Sequence, residues 1–223
     1  TSSSWMQKSS TFSLQDWYTA AVVYGEDTTI LYKDGAFNDS RSQNSIARGE
    51  FQIGRRDGVD AFTGDMAEII HFNKALNTAE RTIVTNYLGA KYGIALSNSK
   101  YNYAATHSHE VVGIGRDDGS NFHQQSKSAN LLTLKNPYGL DNGDYLLTGH
   151  DNQSAAAWNS TEVPGNDTNF RRIAREWRFT ETGAIDSLSL ALDTSDLPAK
   201  PAGFSIYFLL VDGDGDFSSG SSR

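Results

Sequence analysis

No cysteine occurs in this chain of 223 residues. A secreted eukaryotic domain more often carries disulfides, so the absence fits a bacterial exported protein or a cytosolic one. Cations are also in short supply: 19 Lys and Arg stand against 27 Asp and Glu, for a net charge of −8. Neutralising nucleic-acid phosphates needs a basic face, which argues against nucleic acid as a partner. No apolar run approaches the length that crosses a bilayer, so no membrane span is expected. The opening residues, TSSSWMQKSS, have neither an initiator Met nor the pattern of a signal peptide. The chain therefore reads as a segment of something longer, whose remainder is its first expected partner and would hold the targeting signals. Catalytic fingerprints are missing too. There is no G-x-S-x-G, P-loop or Rossmann motif. There is also no E-x-[DE]-x-x-E strand of the kind that holds two carboxylates across a sugar. No internal repeat is visible, and the chain is expected not to be an enzyme.

What is present is ample for a core. Hydrophobic residues make up 38% and aromatics 11%, while 20 glycines and many Ser, Asn, Asp and Thr residues suit short strands joined by turns. The organising stretch is Gly64–Leu96. Met66–Phe72 alternates as a strand with one well-buried face. Asn77 and Glu80 have the spacing of a capping box. Ala79, Ile83, Val84, Tyr87 and Leu88 then form an apolar stripe on an amphipathic helix, expected to plug one end of a sandwich. Lys91 and Gly93 suit its C-terminus. Upstream, Trp17–Tyr24 and Thr29–Lys33 read as strands, Asp34-Gly35 as a tight hairpin turn, and Phe51–Gly54 as a further short strand.

From Ser97 the pattern changes. Ser97–Ser108 reads as a linker or capping loop. Six strand candidates follow, at Glu110–Gly115, Leu131–Lys135, Tyr145–Gly149, Arg172–Thr180, Leu188–Asp193 and Phe204–Val211. Turn-rich pieces separate them and no helix of useful length intervenes, which is the signature of an all-β sandwich.

Two stretches carry a resemblance. Gly64, Ala67–Ile70, Phe72, Lys74–Leu76, Ala79–Arg81, Tyr87-Leu88 and Lys91–Ile94 resemble the closing segment of laminin-G-like, concanavalin A-like lectin/glucanase domains, and Trp17–Tyr24 and Leu31–Gly35 also resemble the laminin-G-like pattern. Gly113–Asp118, Gln124–Asn130, Leu140–Asn152, Arg172–Gly183 and Leu209–Ser218 resemble the β-rich module that follows such domains in cell-surface proteins of Bacteroidota, including large adhesins and gliding-motility proteins. A jelly roll of the first kind needs roughly a dozen strands, well beyond the mean sheet, and residues 1–96 offer about five. The first half of that domain is thus expected to precede residue 1. The resemblance implies an all-β fold of tandem β-sandwiches. Residues 1–96 would be the C-terminal part of a laminin-G-like jelly roll with one short helix. Residues 97–223 would be a second sandwich with room to continue past Arg223.

Several motifs admit a sharp and a bland reading. Asp212, Asp214 and Asp216 alternate in VDGDGDFSSG, and hard cations such as calcium take several oxygens from one turn. An EF-hand would need Gly and an acid where Phe217 and Arg223 stand. The choice is therefore between an extracellular-type calcium site and a glycine-rich acidic turn. Asp117 and Asp118 read as a solvated turn. His107 and His109 could share a strand face and chelate zinc, but no third ligand has convincing spacing. All five histidines are read as structural or surface residues, with His71, His123 and His150 isolated. Arg171, Arg175 and Trp177 should share one strand face, and Arg172, Glu176 and Arg178 the other. A polyanion site is the sharp reading there, and pairing of Arg172 and Arg178 with cross-strand acids is the favoured one. The functional expectation is a non-enzymatic segment of a bacterial surface adhesin or structural surface protein. It would be extracellular, exported by the type IX route, and in contact with glycans or other surface proteins. The alternatives are a carbohydrate-binding module of a secreted polysaccharide-degrading enzyme and a structural spacer.

Overall fold

A computed structural model describes residues 15–25, 27–42, 53–54 and 61–222. Its first sheet is a three-stranded antiparallel meander of β1 (Ala20–Tyr24), β2 (Thr28–Lys33) and β3 (Ala36–Ser42). Asp34 and Gly35 turn between β2 and β3 with φ of 49° and 83°, the positive values a tight hairpin needs. The expected strand at Phe51–Gly54 has its first two residues outside the described set, and Ile53-Gly54 form a bend.

Helix α1 spans Thr78–Tyr92 with the expected capping box. Glu80 N–H donates to Asn77 Oδ1 at 2.9 Å, and Asn77 N–H donates to Glu80 Oε2 at 3.1 Å. Gly93 closes the helix in the left-handed region, its N–H bonded to the Gly89 carbonyl. The buried stripe, however, is Ala79, Ile83, Thr85, Asn86, Gly89 and Ala90. It is rotated from the expected one, and Tyr87 and Leu88 are only half-buried. Small residues face inward because α1 lies close against a sheet and the chain leaving the helix folds back over it: a Cβ on Gly89 would sit 2.7 Å from Leu96 Cδ1.

That sheet is the four-stranded β11–β8–β4–β5, built from β4 (His109–Arg116), β5 (Phe122–His123), β8 (Tyr145–His150) and β11 (Trp177–Thr182). Behind it lies β12–β7–β6, from β6 (Ser126–Ser128), β7 (Leu132–Tyr138) and β12 (Ser187–Leu192). Alternate residues of β8 serve two cores. Tyr145 and Leu147 pack with Val111, Tyr101, Ala79 and Ala90 on the helix side. Leu146 packs with Ile114, Leu132 and Leu134 between the sheets. All six residues of β8 are buried. The two-sheet sandwich is as expected, with a helix layered on its outer face. Gly113 and Gly115 make this possible, since a Cβ on Gly115 would lie 2.2 Å from Tyr145 Cδ1.

Four expectations need correction. Ser97–Ser108 is not a linker. Tyr101 is 4% exposed, its hydroxyl donates to the His107 carbonyl at 2.8 Å, and Asn86 Oδ1 accepts from Lys100 N–H. Met66–Phe72 forms no ladder. No described strand lies beside it, and an isolated extended segment has nothing to pair with. Glu68 ties it to α1 instead, accepting from Lys91 Nζ at 2.9 Å, Tyr92 OH at 3.0 Å and Tyr87 OH at 3.1 Å. Burial works to raise the Glu68 pKa, but these bonds and the ammonium hold it below the usual carboxylate range. Phe204–Val211 is extended without a ladder, apart from one bridge from Val211 to Ser222. Arg172–Thr180 breaks in two, because the amides of Ala174 and Arg175 both turn to the Ser154 carbonyl. β10 (Arg172–Ile173) pairs with β9 (Trp158–Asn159), and β11 pairs with β8.

Candidate functional site

β11 and β12 are the edge strands on one side of the sandwich. Between them opens a groove of about 420 Å³, walled by the segments around 158–176 and 197–217. Leu190 and Leu192 pair with the buried Leu134 and Leu132 across the ladder, so they belong to the inner face. Even so, they are 37% and 41% exposed, because the groove leaves them uncovered. Trp177 and Phe179 line the opposite side. Trp158 enters through β9 and stacks near Tyr207 with ring centroids 6.0 Å apart. Its indole N–H donates to the carbonyls of Pro198 and Ala199 at 3.1 and 3.0 Å, fixing the ring. Phe170 meets Phe208 edge-on at 6.2 Å.

Four cations and one carboxylate line this apolar space: Arg171, Arg172, Arg175, Lys200 and Glu176. Arg172 bridges Glu162 at 2.5 Å and Glu176 at 2.8 Å. Burial pushes the Glu176 carboxyl above its ordinary value, against the pull of Arg172. Arg172 thus pairs with acids, but not with the cross-strand ones expected: Glu162 lies in the turn after β9 and Glu176 four residues on along its own segment. Arg178 does not. It donates to the carbonyls of Gly213 and Asp214 at 3.2 and 2.5 Å.

Those carbonyls belong to the acidic turn. Asp212 Oδ1 accepts the amides of Asp214 and Gly215, Asp214 Oδ1 accepts that of Asp216, and Asp216 Oδ1 accepts the amide and hydroxyl of Ser218. The hydrogen bond with the Asp214 side chain and the Gly215 amide hold Asp212 below its usual range. The Ser218 hydroxyl and amide do the same for Asp216. The three carboxylates share one turn, but each spends an oxygen on the backbone, and a guanidinium holds two carbonyls that a cation would want. Among the described residues, no three histidine or acidic side chains gather into a metal-binding group.

The histidines are less isolated than the sequence suggests. His109 lies opposite His150 in the β4–β8 ladder, and the rings stack at 5.7 Å. His150 Nδ1 accepts from Asn152 N–H at 3.0 Å. His107 packs against Tyr103 in the preceding loop. Reading the sequence alone missed Trp158, Lys200 and Tyr207 as parts of one site. The available signal was the run FSIYFLLV, apolar on both faces of a would-be strand.

Residues 80–223, about two thirds of the chain, match the family described as Domain of unknown function (DUF8202). The chain belongs to that family. The groove, the sandwich, the acidic turn and all but the first two residues of α1 lie within the DUF8202 region. Residues 1–80 match the profile of the concanavalin A-like lectin/glucanases superfamily, to which the meander is therefore similar. No curated protein and no solved structure matches the chain.

Proposed function

We propose that this chain is a non-catalytic glycan-binding segment of a bacterial cell-surface protein, an adhesin or structural surface component exported from the cell. The groove between β11 and β12 carries the reading. It is concave and mostly apolar, and it is edged by a few convergent polar groups, as small-ligand sites are. Sugars present apolar C–H faces that stack on aromatic rings such as Trp158 and Tyr207, while guanidinium groups meet their oxygens. The match of residues 1–80 to a lectin/glucanase superfamily supports a carbohydrate-facing role. Extracellular placement fits the acidic, cysteine-free composition, and among the described residues no helix is long and apolar enough to cross a membrane. The Bacteroidota surface setting, with its gliding-motility and adhesin proteins, belongs to this proposal. The same superfamily description includes glucanases, which supports a second reading as the binding module of a secreted polysaccharide-degrading enzyme.

Affinity electrophoresis of the whole chain through gels containing a panel of polysaccharides tests the proposal. At least one glycan should retard it, and Trp158→Ala should abolish the retardation in a chain that still melts cooperatively, at a midpoint lowered by the lost packing of the ring. Unretarded migration in every gel would refute glycan binding.

A further inference from the structure

We infer that the groove selects anionic sugars, those bearing carboxylate or sulfate groups, an assignment that rests on the glycan reading above. The chain as a whole is acidic, at −8, yet the groove reverses that sign, its four cations and one carboxylate leaving +3. Arg172 is already neutralised by Glu162 and Glu176. Arg171, Arg175 and Lys200 are not, since none has a carboxylate partner among the described residues. Their bonds go to carbonyls, which orient them and leave their charge in place. Arg175 Nε donates to Gln153 O at 2.9 Å. Arg171 Nη1 donates to Thr168 O and Phe170 O. Lys200 Nζ donates to Ser205 O at 2.8 Å. Among the described contacts, both Nη groups of Arg175, and Nε and Nη2 of Arg171, remain free to donate.

A planar guanidinium fork matches the two oxygens of a carboxylate or sulfate. Two of the three cations without a carboxylate partner also sit over rings, Arg171 over Phe204 at 5.4 Å and Lys200 over Tyr207 at 4.6 Å. Charge and stacking surface therefore lie side by side. An uncharged sugar would cover the half-buried Arg171 and Arg175 without supplying a counter-charge, which is unfavourable, while Lys200 stands exposed beside them. An acidic protein also repels polyanions at long range, so an anionic ligand would be captured through this local reversal and not by general attraction.

The experiment measures binding of the whole chain to polygalacturonate, a sulfated galactan, an uncharged galactan and polyglutamate at two salt concentrations. One or both charged glycans should bind and the uncharged galactan should not. The better of the two would name carboxylate or sulfate as the recognised group. Binding should weaken at higher salt and fall about tenfold or more in Arg171→Gln/Arg175→Gln, as loss of a charge-assisted bond implies. Lys200→Gln, on a separate segment, gives the same readout if the double variant does not fold. Equal binding of charged and uncharged galactan, lost with Trp158→Ala, would overturn anion selection while leaving glycan binding intact. Binding of polyglutamate as tight as that of the charged glycans would overturn it as well. Binding of no polysaccharide would remove both readings.

Discussion

Protonating His150 would place a charge between His109 and Trp177, inside the sandwich. Burial first, and then the charge of Arg175 and the neighbouring His109, push its pKa down to about 4. Burial lowers that of His107 too. The unfolded chain takes up these protons near the ordinary value of 6.5. The stability that a neutral His150 contributes is therefore full above that pH and drains away as pH falls from 6.5 to about 4, by up to roughly 3 kcal/mol. The thermal midpoint of the wild-type chain should fall more steeply across this window than that of His150→Gln, and parallel profiles would contradict the argument. A second residue-scale prediction concerns Gly115→Ala. Its new methyl would collide with Tyr145 and should lower stability by roughly 1–3 kcal/mol, the usual effect of overpacking, read as a shift in denaturant midpoint. Neither effect is visible in the sequence, because the pairing of His109 with His150 and of Gly115 with Tyr145 depends on ladder register between distant strands.

Elements whose signals are local were legible. The Asn77–Glu80 capping box and the Gly93 stop follow from side chains a turn apart, and Asp34-Gly35 from the φ a hairpin demands. Met66–Phe72 and Phe204–Val211 have strand chemistry but no ladder, because a strand is a property of two segments and the pattern of one cannot supply the other. The helix was found, but its inward face was set by close approach to β4 and not by hydrophobicity alone. Ile83→Ala should therefore destabilise by roughly 2–5 kcal/mol, clearly more than Leu88→Ala, and equal denaturant midpoints for the two variants would overturn this packing. For the proposal that Asp212, Asp214 and Asp216 take calcium, the expected outcome is a higher midpoint in millimolar calcium than in chelator, lost on Asp214→Asn. Identical midpoints would leave an acidic turn held by its own amides and Arg178.

At the scale of the whole molecule, the sandwich was legible as regularly spaced strands with turns between them. The groove was not, because it forms where edge strands and unladdered segments meet, and no single stretch contains it. The helix shares a core with Tyr101, Val111, Tyr145 and Leu147. We therefore propose dividing the chain ahead of α1 and not between Leu96 and Ser97. A fragment of residues 74–223 should melt cooperatively, whereas one of residues 97–223 should not, and cooperative melting of both would restore the later boundary. The six buried residues of β8, bonded to β4 on one side and β11 on the other and covered on both faces, carry a further consequence. In deuterated solvent the amides of Tyr145–His150 can exchange only when helix and sandwich open together. Their exchange should thus be the slowest in this region and should report the unfolding of the entire layered unit, while the amides of Ile206–Leu209, which have no ladder to leave, should exchange at once.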